Sequence, residues 1–350
     1  LGDVYKRQTQ MVMHDAWPRP EPRAGEVLVR VGACGLNNTD VNTRSGWYSK
    51  TVTEATTGAG FKEVGGDDPA WGGTPIQFPR IQGADACGEI VAVGDGVDAA
   101  RIGERIITDN WLRDADDPLD KNKTGYFGSE RDGGFAEYTT LPSSNALSVQ
   151  SDLSDAELAT FSCSYSTAEG MMTRAGVTKA DTVLVPGASG GVGSAVVQLA
   201  KRRGARVIAM ASEAKHADVE ELGADVLLPR SPDELNALLK GETITVIADV
   251  VGGPYWPKLI DVLARGGRYT VSGAIAGPMV ELDLRTLYLR DLTFLGSTVI
   301  DPEVMPRLIS YIEKGEIKPA LAANDPLEDL HAAQTAFIEK KHTGNIVVVP

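Results

Sequence analysis

From Gly25 to about Leu147 the chain alternates short β-rich runs, EVLVRVGACG, EIVAVG and GERIITDNW, with Gly and Pro turns, and this predicts an all-β module. From about Asp152 the pattern changes. Strand-like runs DTVLVP, ARVIAMA, TVIADVV, GGRYTVSG and LTFLGST are separated by helical stretches, an alternation that predicts a parallel, doubly wound sheet. The fold class is therefore α/β with a β-rich companion domain. Residues 50–78 fit neither pattern: they are rich in Gly, Thr and acids and have no helical period. A loop of that length reads as a lid over a site or as a surface insertion. The opening LGDVYKRQ lacks any targeting pattern and looks like an assembly leftover outside the fold.

Composition narrows the chemistry. A chain of 350 residues exceeds what one core usually spans, and 42% hydrophobic with 23% charged residues is ordinary for a soluble protein. No apolar run is long enough to cross a bilayer. A net charge of −14 argues against nucleic-acid backbones and anionic membranes as partners, and leaves small-molecule chemistry. The odd, widely spaced Cys34, Cys87 and Cys163 suit a reducing compartment, the cytoplasm.

The clearest chemistry lies in DTVLVPGASGGVGSAVVQLAKRRGARVIAMAS. A buried strand runs into Gly187, Ala188, Ser189, Gly190, Gly191, Val192 and Gly193, then into a helix with Val192, Ala195, Val196, Leu199 and Ala200 on one face, ended by Gly204. Glycines let a pyrophosphate approach the backbone, and the free N–H groups of the helix start attract its charge. Nineteen positions past Gly193 stands Ser212, where an NAD site places an acid. Ser212 and Lys215 suit a 2′-phosphate, so NADPH is expected, with NADH kept open by the adjacent Glu213.

These elements, with the phrases GADACGEIVAVG and DGGFAEY, resemble the medium-chain dehydrogenase/reductase superfamily. The resemblance implies a GroES-like substrate domain at 9–152, a Rossmann domain at 153–299, and a return of 300–350 to the first domain. Matching the family's catalytic-zinc motifs onto the chain gives Asn37, Ala84 with Asp85, and Cys163, and two of the usual ligand side chains are missing. His14, His216, His331 and His342 lie in none of these motifs, and no four-cysteine lobe stands between Asp109 and Gly134. No metal is therefore expected. The chain instead resembles the zinc-free quinone and enoyl thioester reductases, whose motif of Asn, Asp and a Tyr eleven residues after the Asn matches Asn37, Asp40 and Tyr48.

In that branch Tyr48 would act as general acid, although beside Trp47 it could equally pack a pocket wall. Asn37 would orient the nicotinamide ribose or amide, or else serve a turn through its own backbone. Thr39 matches a proton-relay hydroxyl of the zinc alcohol dehydrogenases. Thr167 matches a nicotinamide contact, or is a helix-start threonine. Asp249, Val250 and Val251, and Ser272, Gly273 and Ala274, stand at strand ends where doubly wound folds bind ligands, or simply end those strands. Asn345 takes a cofactor-contact position where many relatives have Lys. Trp47, Tyr48, Trp71, Phe78 and Trp111 line a pocket or fill the core. The expected activity is hydride transfer from NADPH to a quinone or α,β-unsaturated carbonyl without zinc. A zinc-independent alcohol or ketone oxidoreductase using Thr39, and a non-catalytic cofactor-binding protein, are the alternatives. The apolar run DLTFLGST at residues 291–298, exposed at a sheet edge, predicts a homodimer or a dimer of dimers.

Overall fold

The computed structural model describes residues 11–56 and 76–350. Trp71 and most of the 50–78 segment lie outside them, so the lid expectation is not addressed.

The β-rich half contains β1 (Glu26–Gly35), β2 (Asp85–Val93), β3 (Arg105–Thr108), β4 (Trp111–Leu112), β5 (Gly125–Tyr126), β6 (Tyr138–Pro142) and β7 (Ala146–Ser148). β1 pairs antiparallel with β2 along its length and with β6 over Glu26–Arg30. Its Val27, Val29 and Val31 alternate into a core with Ile90, Ile106 and Leu141, the period-two pattern of a sheet buried on one face. The helix α1 (Asn38–Ser45) leaves the end of β1 and stops at Gly46, which takes the left-handed conformation (φ 74°) that a glycine adopts without strain.

The second half opens with α2 (Asp155–Leu158), whose start is a reciprocal cap: Glu157 N–H donates to the Ser154 hydroxyl, and Ser154 N–H to the Glu157 carboxylate. Then follow α3 (Ser162–Arg174), β8 (Thr182–Pro186), α4 (Gly191–Arg202), β9 (Arg206–Ala211), β10 (Val226–Pro229), β11 (Ile244–Asp249), β12 (Leu263–Val271) and β13 (Thr293–Gly296), with short helices between the later strands. The sheet order is β10-β9-β8-β11-β12-β13, parallel throughout, with the order of strand addition reversing between β8 and β11. That reversal opens the crevice in which doubly wound folds bind nucleotides. The last strands, β14 (Leu321–Pro326) and β15 (Asn345–Val349), join the first sheet, β15 lying against β1.

The two halves share one continuous core. Ala33, Cys87 and Ile107 of the first sheet pack into the same apolar cluster as Tyr165, Met171, Val183 and Val197. α3 lies in that seam. Among the described residues no helix is long and apolar enough to cross a membrane.

Strand ends differ from the sequence pattern for local reasons. TVIADVV stops at Asp249 because the Asp249 carboxylate accepts Val251 N–H (2.7 Å) and Gly252 N–H (3.2 Å) and turns the chain. β10 escaped the pattern: VLLP, Val226–Pro229, is a four-residue edge strand, half-exposed and closed by a proline, too short to show a period.

Candidate active site

The starts of α1 and α3 meet at Asp85. Asn37 is the N-cap of α1; its backbone N–H donates to the Asp40 carboxylate (2.8 Å) and its side chain caps the helix in return. Its amide nitrogen donates to Asp85 Oδ2 (2.8 Å). The turn role is thus realised, and the buried Asn37 amide is committed to protein partners. The other Asp85 oxygen accepts Cys163 N–H (2.6 Å), at the start of α3, and Asn110 Nδ2 (3.2 Å). Asn110 also donates to the Tyr126 hydroxyl (3.1 Å), which donates to the Cys163 sulfur (3.3 Å).

Burial pushes the carboxyls of Asp40 and Asp85 up to about 7, although each accepts hydrogen bonds that oppose the shift. Between about pH 4 and 7 the unfolded chain has released protons that the folded chain still holds, so this contribution to stability falls as pH rises and is lost above about pH 7. Asp85→Asn should therefore lose less stability than the parent between pH 5 and pH 8, by about 2 to 3 kcal/mol. Urea midpoints at the two pH values check this, and parallel losses would contradict it.

Tyr48 follows the end of α1, half-buried, with its ring edge-on to Trp47 at 5.6 Å. Burial raises its phenol, with the Thr39 and Asn42 side chains as hydrogen-bonding neighbours that ease the shift. At neutral pH the group is a protonated donor. The buried side-chain oxygen Oδ1 of Asn42 beside it has no partner among the described residues. Trp111 packs edge-on against Tyr126 at 4.9 Å and is core rather than open wall.

The residues at the relatives' zinc positions do not fit a catalytic zinc. Asn37 presents an N–H donor to Asp85, position 84 is alanine, both Asp85 oxygens are engaged, and the Cys163 thiol is raised well above its usual range by burial. Among the described residues no three His, Cys, Asp or Glu side chains gather into a metal-holding group.

The glycine-rich turn does fit a dinucleotide phosphate. Gly187 has φ 66°, and a Cβ there would stand 2.8 Å from Val251 Cγ2. A Cβ on Gly193 would overlap the Gly187 carbonyl oxygen and come within 2.9 Å of Ala188 Cα. The N-cap of α4 is Gly190, which brings no side chain, so the first-turn N–H groups are left for an anion. Ser189, Gly191 and Val192 are partly exposed around this turn. Ser272, Gly273 and Ala274, also partly exposed, continue the rim, and Thr56 N–H of the first domain donates to the Ile275 carbonyl (3.0 Å) just beyond them. Thr167, on α3, sets its hydroxyl beside the Cys163 sulfur.

Two expected contacts are occupied otherwise. The Lys215 ammonium donates to the backbone carbonyls of Lys340 (2.9 Å) and His342 (2.5 Å), while Ser212 stands exposed at the end of β9. Asn345 is buried, accepts the Ser164 hydroxyl (2.8 Å), and lies against Gly191, where any Cβ would overlap its side-chain oxygen. It braces the start of α4 from behind. Sequence reasoning missed two cations. The first is Arg230: burial and then the Arg230 charge hold the Lys215 amine below its usual range. Lys340 donates to Asn38 Oδ1 (2.9 Å), lies over the Phe337 ring at 3.3 Å, and is pushed down to about 7 by burial and then by Lys215. Arg230, just past the overlooked β10, carried no motif signal. Lys340 lies close to HTGN, the stretch that drew attention to Asn345 alone.

The family described as "Alcohol dehydrogenase GroES-like domain" matches residues 23–151, and "Zinc-binding dehydrogenase" matches residues 191–314. A candidate alcohol dehydrogenase from Sinorhizobium meliloti superposes with a TM-score of 0.88 at 45% identity, over 99% of this chain and 94% of that one. The chain belongs to the medium-chain dehydrogenase/reductase superfamily. Members of this superfamily similar to it include an acryloyl-coenzyme A reductase from Metallosphaera sedula, 26% identical over 94% of this chain and 93% of its own length. A human quinone oxidoreductase is 26% identical over 94% of this chain and 91% of its own. With the motif of Asn37, Asp40 and Tyr48, these relatives set the medium-chain protein in the quinone-oxidoreductase-like branch as an oxidoreductase.

Proposed function

We propose that the protein is an NADPH-dependent reductase of carbon–carbon double bonds conjugated to a carbonyl, quinones and enoyl thioesters included, working without zinc. The observation that carries this reading is the half-buried Tyr48 phenol, kept protonated beside Thr39 and Asn42, in a site whose zinc positions hold Asn37, Ala84 and an engaged Asp85. A nicotinamide cofactor on the glycine-rich turn supplies hydride when bound. The chain's own part is to cradle the phosphates with Gly187 to Gly193, to orient the substrate carbonyl, and to offer the Tyr48 O–H to the oxygen where negative charge develops. Saturated ketones do not spread that charge and gain less from a phenol alone. The test is a panel of enones, quinones, enoyl thioesters and saturated ketones, with NADPH and a chelator present throughout. Turnover of the conjugated acceptors is expected. Reduction of saturated ketones alone, sensitive to Thr39→Val, would move the protein to the alcohol and ketone oxidoreductases, and no turnover at all would favour a cofactor-binding protein.

Lys215 and Arg230 are the cations proposed to hold the 2′-phosphate, Lys215 turning from its carbonyl partners as the cofactor arrives. Charge-assisted hydrogen bonds predict NADPH binding about tenfold to a hundredfold tighter than NADH. The Lys215→Ala, Arg230→Ala double variant should remove most of that margin in fluorescence titration. Equal affinities in the parent would instead assign a ribose hydroxyl to Glu213.

A homodimer is proposed through the β13 edge. β13 is the last strand of its sheet, and Met279, Val280, Leu284, Tyr288 and Leu289 are exposed in the segment leading to it. Light scattering at micromolar concentration should give twice the chain mass or a multiple; a monomer would contradict this.

A further inference from the structure

The strongest unassigned feature is Asp85, the first residue of β2, buried to 1% exposure and reached by donors from three separate elements. Asn37 Nδ2 comes from the start of α1, Asn110 Nδ2 from the loop after β3, and Cys163 N–H from the first turn of α3 in the second domain. Asn110 and Tyr126 close the arrangement into a ring, since Asn110 also donates to the Tyr126 hydroxyl and that hydroxyl to the Cys163 sulfur. The β1 position facing the carboxylate is a glycine, and a Cβ on Gly35 would stand 3.1 Å from Asp85 Oδ2, so the carboxylate occupies the space a side chain there would take.

A carboxylate accepting three donors in a buried place costs desolvation, and an apolar residue would have packed β2 without that cost. What an apolar residue would not do is fix direction. Asn37 is the first fixed point of α1, the helix that carries Thr39 and leads into Tyr48. Cys163 is on the first turn of α3, which carries Thr167 one turn later.

We infer that Asp85 is a positioning residue which, by holding the Asn37 amide and the Cys163 N–H on one carboxylate, sets the start of α1 against the start of α3. Asp85 touches neither proton donor nor phosphate turn in this arrangement. Its effect reaches the chemistry through the placement of Thr39 and Tyr48 relative to Thr167.

The test is a swap. Asp85→Asn keeps an oxygen for Cys163 N–H and Asn110, but sets an NH2 against the NH2 of Asn37. Asn37→Asp alone sets two carboxylates face to face. The double variant restores one donor and one acceptor, with the amide now at position 85 donating to the carboxylate now at position 37. Activity is read with whichever conjugated acceptor the parent reduces, so this readout rests on the reductase reading. Asp85→Asn should lower kcat by about tenfold to a hundredfold with NADPH affinity nearly unchanged, and the double variant should recover most of that loss. Parental kcat in Asp85→Asn, or a double variant no better than the singles, would overturn the inference. If Asp85→Asn does not fold, Asn37→Ser replaces it, keeping a capping hydroxyl while removing the amide; loss of kcat is expected and parental kcat would overturn the inference. An inert parent would sink the reductase reading but not this one, because the same four proteins form a double-mutant cycle in urea unfolding. Coupling between positions 37 and 85 is then expected, and additivity would overturn it.

Discussion

Gly193→Ala should abolish nucleotide binding and lower stability together. Its added Cβ would overlap the Gly187 carbonyl oxygen and stand 2.9 Å from Ala188 Cα, both backbone atoms of the same turn. No rotamer change relieves a backbone overlap, so the turn has to open, and overpacking of this kind typically costs about 1 to 3 kcal/mol. Opening the turn also moves the first-turn N–H groups of α4 away from the phosphate. We expect NADPH affinity to fall by about a hundredfold or more and the thermal midpoint to fall by a few degrees at most, since about 1 kcal/mol shifts it by only about 1 to 2 °C in a chain of 350 residues. Gly190→Ala is the contrasting variant. Its Cβ finds the Gly187 carbonyl oxygen at 3.6 Å, ordinary contact, and its φ of −80° suits any residue. It should keep the parental midpoint. A Gly193→Ala protein with parental midpoint and affinity would contradict the account of the turn.

The second large effect belongs to Tyr48. Tyr48→Phe keeps the ring that meets Trp47 at 5.6 Å and removes only the hydroxyl beside Thr39 and Asn42. If that hydroxyl supports the developing oxygen charge, kcat for an enone should drop by about 10² or more, with cofactor affinity nearly constant. Quinones, which accept two electrons more readily, should lose less. Steady-state kinetics on both substrates, with cofactor titration, separates this from a pocket-wall role, in which KM would rise and kcat would hold.

How much of this the sequence carries differs from element to element. The phosphate turn is legible because much of its requirement is local: the atoms that crowd Gly193 belong to Gly187 and Ala188 of the same turn, although Gly187 itself meets Val251 from beyond β11. The doubly wound sheet is legible because buried parallel strands show as apolar runs. β10 was not, because a four-residue edge strand has too few positions to carry a period. Asn37 was left between a turn role and a cofactor role; the choice depends on Asp85, forty-eight residues away, which spacing along the chain does not reveal. Asn345 and Lys215 show the same limit. Each was read by its position in a motif, and each has partners supplied from distant segments, Ser164 for one and the carbonyls of Lys340 and His342 for the other. Lys340 went unnoticed because its neighbours, Asn38 and Lys215, meet it only when the C-terminal segment folds back between the two domains.

The central claim is that hydride goes to the carbon β to a carbonyl and that a phenol, not a metal, supports the oxygen. Its most direct test is where the hydride lands. The protein would be given an enone with NADPH deuterated at the transferring position, in the presence of a chelator, and the product examined by NMR. The account predicts a saturated ketone with deuterium on the β-carbon. An allylic alcohol with deuterium on the former carbonyl carbon would contradict it.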